Sequence, residues 1–338
     1  MVLKSKKVKT FLLILISLIL LAIGMEISLY IGTKAIDFST IIRSIFTNDN
    51  TLESNIIRDV RIPRVLAAVM VGGFLSVSGA IMQGITRNPI AEPSVMGITQ
   101  GATFSIAIAF IIQKIVPVIS IRSTAIMFFA FIGASISGLL VYFFSSKRGR
   151  KSDPVKLALA GTALGTLFIS LAMGSAMYFN LSQELSFWIA GGLASTKWQG
   201  VIMLFVFGCI GMIGAFIMAP KITILSLGEE VAIGLGQRTN LIRFICIIIV
   251  IILTGASVAV AGNIVFVGLI VPQIARGIVG SDYKYIIPSS LILGAVLLVY
   301  SDIIARIINP PYETPIGSLT ALIGVPIFIY LVRKGGNN

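Results

Sequence analysis

Histidine is absent from this chain of 338 residues, which removes imidazole metal ligands, imidazole general bases and histidine proton relays. Acid is scarce, with 13 Asp and Glu against 26 Lys and Arg. Only 12% of residues are charged, where a soluble domain carries roughly 25%. Cysteine is nearly absent too. Cys209 and Cys246 both lie inside apolar runs and form no CxxC pair, so no disulfide or zinc framework can be read from them. No lysine follows a glycine, so the GxxxxGK[ST] phosphate loop is missing. If ATP hydrolysis drives this protein, the motor belongs to another chain.

What the sequence does contain is apolar. AVILMFWYC residues make up 57%, and the mean hydropathy is +1.02. With the 33 glycines added, the share is about two-thirds, against roughly 45–50% for a soluble domain. A water-soluble fold cannot hide that much apolar surface. A soluble enzyme and a nucleic-acid binder are both excluded, and the +13 net charge reads as a membrane-topology signal, KRGRK at 147–151 included.

A hydrocarbon core of ~30 Å takes about 20 helical residues. The apolar runs predict an all-α polytopic membrane protein, a single transmembrane domain over 1–338. Its spans are expected near 10–31, 62–84, 94–113, 123–144, 156–179, 199–219, 240–260, 263–279, 285–306 and 315–332. Ten spans is the expected number, with nine or eleven as alternatives. Lys4, Lys6, Lys7 and Lys9 ahead of the first run resemble a signal-peptide n-region, but no small-residue cleavage site follows cleanly. The 263–279 run contains Gly268, Pro272 and Gly277 and is expected to be broken or tilted. With both termini in the cytoplasm, seventeen Lys and Arg fall on inner segments and nine on outer ones, the bias that sets orientation.

The membrane part is short of coupling chemistry. Glu26 and Asp302 come closest to being buried acids, and Asp302 has Arg306 four residues on, a spacing that allows a pair on one helix face. This argues against proton or sodium coupling. No two acids lie mid-span on neighbouring runs, which disfavours a membrane hydrolase.

Three segments depart from ordinary loop composition. KITILSLGEEVAIGLGQRTN, the 221–240 loop, has an apolar pattern at Leu225, Leu227, Val231, Ala232 and Leu235. Glu229 and Glu230 suit a helix start, and Gly234 and Gly236 an end. Such a face needs a partner surface, or else it lies on lipid, where Lys and Arg are the usual polar residues. RNPIAEPSVMGITQG, 87–101, carries Pro89 and Pro93 between spans. It is either a tight turn or irregular backbone shielded at membrane depth. GITQG and GTALG (161–165) read as close-packing patterns. Arg58, Arg61 and Arg64 recur every three residues at an outer mouth. They form one stripe for anionic groups, or they snorkel at the interface.

Taken together, RIPRVLAAVMVGGFLSVSGAIMQGITRNPIAEPSVMGITQGA, LSLGEEVAIGLG, GNIVFVGLIVPQIARGIVGSD, SDIIARI and ETPIGSLTALIGVPIFIYLVRK resemble the FecCD family. These are the permease subunits of type II ABC importers for ferric siderophores, haem and cobalamin. The resemblance implies a permease of the bacterial cytoplasmic membrane, not an enzyme. It implies a second permease subunit, identical or paralogous, two copies of an ABC ATPase that carry the ATP and Mg, and an extracytoplasmic substrate-binding protein. No cofactor is implied in this chain. By the same resemblance Leu227, Gly228, Glu229, Ala232, Leu235 and Gly236 contact the ATPase; Arg61, Arg64 and Arg306 meet the binding protein; and Asn88, Ile90, Ser145 and Ser146 form the inner gate. A ferric siderophore, of the hydroxamate type, is the expected cargo. The chain reads Gln273 where the family commonly has histidine, which puts any pH-linked role there in doubt. An ion-coupled secondary carrier is the alternative, and a membrane-embedded enzyme a third.

Overall fold

The computed structural model describes residues 2–32, 36–47, 51–116, 122–145, 154–310 and 312–335. KRGRK (147–151) and Ser146 lie outside them. The described residues fold into helices joined by short connections. α1 (Val2–Tyr30) is followed by two small helices, α2 (Phe38–Phe46) and α3 (Leu52–Ile56). Then come α4 (Ile62–Thr86), α5 (Ile98–Ile115), α6 (Ser123–Ser145), α7 (Pro154–Tyr178) and the short α8 (Ser182–Ala190). The second half holds α9 (Trp198–Ser226), the short α10 (Glu229–Gly234), α11 (Thr239–Ala261), α12 (Val267–Val279), α13 (Tyr283–Ile307) and α14 (Ile316–Gly335).

Eight helical stretches are long and apolar enough to cross a bilayer: α1, the α3–α4 rod, α5, α6, α7, α9, α11 and α13. α12, at 13 residues, and the apolar part of α14 (Ile316–Ile329) are shorter. Their outward side chains, such as Phe11, Ile16 and Ile19 on α1 and Phe205, Ile213 and Ile217 on α9, are exposed hydrocarbon, suited to lipid. Glu26 is also exposed, unlike the fully buried Asp302.

α4 is the axis of the bundle, buried from Pro63 almost to its end. α13 runs antiparallel along it, and backbone meets backbone at Gly72 and Gly294. α12 crosses α4 at Gly79, where any Cβ would collide with the Gly268 carbonyl. α9 and α11 also pack on α4, and α5, α6 and α7 pack together, with α6 against α11. There the GITQG and GTALG glycines meet, with a Cβ on Gly97 3.3 Å from the Gly161 carbonyl.

α3 and α4 form one rod, Leu52–Thr86, interrupted by a π-turn at Ile57–Arg61. Pro63 explains the turn. It has no N–H to bond the Asp59 carbonyl, and the Ile62 N–H reaches back to Ile57 instead. α9 also runs further than hydropathy implied, through Ser226, so residues 221–226 of the expected loop are helix.

Candidate functional site

At one end of the bundle three arginines are taken up inside the chain. Arg64 Nε and Nη2 donate to Asp302 Oδ1 at 2.9 and 2.8 Å, while Nη1 and Nη2 reach the Glu313 carboxylate at 2.5 and 3.0 Å. Arg306 Nη2 holds the other Asp302 oxygen at 2.5 Å. Its Nη1 donates to the Ser28 and Ile31 carbonyls, and Arg61 Nη1 donates to those of Leu29 and Tyr30. These are carbonyls of the last turn of α1 and of Ile31 just after it, which have no intrahelical donor. The arginines therefore cap α1 and lock it to α4 and α13.

The expected single stripe of Arg58, Arg61 and Arg64 is not what forms. The π-turn and Pro63 change the helical phase, and each side chain finds a different element. Arg58 donates to the Ser44 and Thr47 carbonyls at the end of α2, Arg61 caps α1, and Arg64 pairs with α13 and the segment before α14. Arg61 and Arg64 are 4% and 5% exposed. Exposed side chains at this end include Leu52, Asp59, Val60, Ile307, Ile308 and Tyr312, with Glu313 held at 40% exposure over Arg64.

The opposite end carries α10. Gly228, at φ +140°, turns the chain after α9, a conformation side chains resist. Gly236, at φ +77°, ends the element. Inward, Ala232 is buried and Glu229 pairs with Arg243 at 3.2 Å. Outward, Leu227, Val231, Ile233 and Leu235 are 46–66% exposed. Of the expected contact residues, Ala232 and Glu229 therefore anchor the helix. Val231 and Ile233 join Leu227 and Leu235 on the free face. The expected pattern had counted Leu225 with this face, but Leu225 belongs to α9 and is buried.

On the α10 side of the bundle, where Gly84 packs against Ile222 and Tyr283, α4 stops at Arg87, in left-handed conformation, and residues 88–97 lead to α5 through a short 3-10 turn at Pro93–Met96. Asn88 Oδ1 accepts the Ile90 N–H at 3.1 Å, and both side chains are exposed. A cavity of about 320 Å³ lies behind them, lined by Met82, Thr86, Met96 and Leu157 among others. Ser145 is buried, donates to the Tyr142 carbonyl and does not line this cavity. Gln273 Nε2 donates to the Pro89 carbonyl at 2.6 Å and to Gln83 Oε1 at 3.0 Å. Gln83 Nε2 in turn donates to the Leu269 carbonyl. Glu92, which sequence reasoning passed over as one more loop acid, accepts the Phe266 N–H at 2.7 Å. Its one local signal was its place between Pro89 and Pro93.

Cys209 and Cys246 are free thiols, one exposed and one buried. Among the described residues no three His, Cys, Asp or Glu gather where a metal ion would sit.

A bundle of eight long apolar helices that turn hydrocarbon outward is that of a multi-pass membrane protein. The chain belongs to the FecCD transport family, whose model matches residues 16–334. It is 46% identical over 331 residues to the iron(3+)-hydroxamate import system permease protein FhuB of Bacillus subtilis (strain 168), covering 98% of this chain and 85% of that one. It is 39% identical to the Fe(3+)-citrate import system permease protein YfmD of the same organism, over 99% and 98% of the two chains. Among solved structures it matches a metal-chelate type ABC transporter in an inward-facing conformation, with TM-score 0.82, 29% identity and 95% and 98% coverage.

Proposed function

We propose that this chain is the permease subunit of an ATP-driven importer that moves a ferric siderophore of the hydroxamate type across the cytoplasmic membrane. Similarity to FhuB along almost the whole chain supports the cargo. The single structural observation behind the mechanism is α10, whose inner side is pinned by Ala232 and Glu229 while Leu227, Val231, Ile233 and Leu235 stand free.

An ATPase subunit docks on that apolar face, two copies serving two permeases, and carries the ATP and Mg. The α10 end is cytoplasmic, together with both termini. The substrate-binding protein docks at the opposite end, over Arg61, Arg64 and Arg306. Because Glu313 already occupies the outer nitrogens of Arg64, a docking carboxylate takes over the place of Glu313 rather than meeting a bare guanidinium. Asn88 and Ile90 form the inner gate, together with Ser145 at the end of α6 and its chain neighbour Ser146. ATP binding closes the ATPases, α10 carries the motion into α9 and α11, and the gate responds. The ion-coupled alternative is disfavoured by Asp302, whose two oxygens are held by Arg64 and Arg306.

The test is purification in mild detergent, with mass spectrometry of the partners. A co-purifying subunit with a phosphate loop, lost on Leu227→Asp plus Leu235→Asp, supports the reading. Purification of the chain alone from cells making the whole import system counts against it.

A further inference from the structure

The irregular 88–97 segment is fastened to α12 at two places. At the start of α12 the Glu92 carboxylate takes the Phe266 N–H. That N–H precedes the helix and points from a residue at φ +68°, a backbone state unfavourable for a phenylalanine. An acceptor on this N–H, which has no intrahelical partner, favours the arrangement. Two turns on, Gln273 Nε2 takes the Pro89 carbonyl. Proline also contributes within α12. Pro272 offers no N–H to the Gly268 carbonyl, and the space left by Gly79 lets α4 bring Gln83 against that same turn. The segment that carries Asn88 and Ile90 is thus tied at 89 and at 92, both times to a helix too short to span the bilayer.

We propose that Glu92 and Gln273 are positioning residues that bind the 88–92 segment to α12, so that the two move as one body and α12 sets the position of Asn88 and Ile90. This rests on the reading of Asn88 and Ile90 as gate residues. Only the acceptor oxygen of Glu92 is needed for the bond to Phe266. Glutamine therefore serves in its place and alanine does not. Gln273 is required as a donor, so Gln273→Glu breaks the Pro89 contact while keeping the side-chain shape.

The experiment is a spin-label distance between positions 90 and 274, both exposed, in the assembled complex with Cys209 and Cys246 replaced. One narrow distribution, unchanged between nucleotide-free and ATP-bound states, is the expected result. A shifted or broadened one is expected in Glu92→Ala plus Gln273→Glu, and the parent distribution in Glu92→Gln. ATP-driven uptake falls about tenfold or more in Glu92→Ala, the scale of losing a buried acceptor, and stays within about twofold of the parent in Glu92→Gln. A parent distance that changes between states overturns the proposal, and so does a double variant indistinguishable from the parent. If the double variant shifts the distance while uptake stays normal, the coupling to α12 stands and the gate assignment of Asn88 and Ile90 falls.

Discussion

Arg64 Nη2 lies 2.8 Å from Asp302 Oδ1, across 238 positions of sequence, and fastens the beginning of α4 to the end of α13. Asp302 is fully buried and shared with Arg306. Desolvating such ions is costly, and the triad is stable because every member is paired. Removing Asp302 leaves Arg64 with Glu313 as its carboxylate and Arg306 with the Ser28 and Ile31 carbonyls. Asp302→Asn is expected to destabilise the protein by about 3–5 kcal/mol, read as a lowered unfolding temperature in detergent. Arg64→Met plus Asp302→Leu is expected to cost less than the sum of the two single changes. Additive losses would show that the pair is not coupled.

The same burial changes what charge reversal at the arginines does. Arg61→Glu plus Arg64→Glu places two acids among the α1 carbonyls and beside Asp302, so loss of fold precedes any loss of docking. Glu313→Gln is the informative variant. It loosens the cover on Arg64 and is expected to tighten binding-protein docking, measured by surface plasmon resonance on the reconstituted complex. Weakened docking would contradict the exchange of carboxylates.

On α10 the two sides are expected to respond differently. Leu227→Asp and Leu235→Asp remove exposed apolar anchors and should weaken ATPase association by about 30-fold or more, with little change in thermal stability. Glu229→Arg faces Arg243 at 3.2 Å and should loosen α10 itself. Adding Arg243→Glu is expected to recover assembly, measured by co-purification. No recovery would mean that Glu229 meets the partner directly.

Close helix crossing makes a sharp steric contrast. Gly79→Ala has no room against Gly268, whereas a Cβ on Gly174 meets nothing within 4 Å. Gly79→Ala is expected to abolish folded protein in size-exclusion profiles, and Gly174→Ala to leave the profile unchanged.

These outcomes mark what the sequence can and cannot express. Membrane class and helix content are legible because hydropathy is local and cumulative. The turn before α10 was legible from Gly228 and the two acids after it. Which face of α10 is free was not, because Gly228 resets the helical phase and separates Leu225 from the residues that follow. The Asp302–Arg306 pair could be read from its i,i+4 spacing. The Arg64–Asp302 and Glu92–Phe266 contacts could not, since partners 238 and 174 residues apart leave no periodic trace. Arginines near a span end look like interfacial residues until the chain is folded and α1 is seen to offer its last carbonyls to them.

The central claim is ATP-driven import through this chain, and it is tested most directly by radioactive iron uptake into proteoliposomes. These would hold the purified permease–ATPase complex, with the binding protein and a ferric hydroxamate on the outside. Uptake that requires ATP and Mg inside the vesicles, persists without any ion gradient and disappears with Leu227→Asp plus Leu235→Asp is the predicted result. Uptake by the permease alone, driven by a proton or sodium gradient and indifferent to ATP, would contradict it.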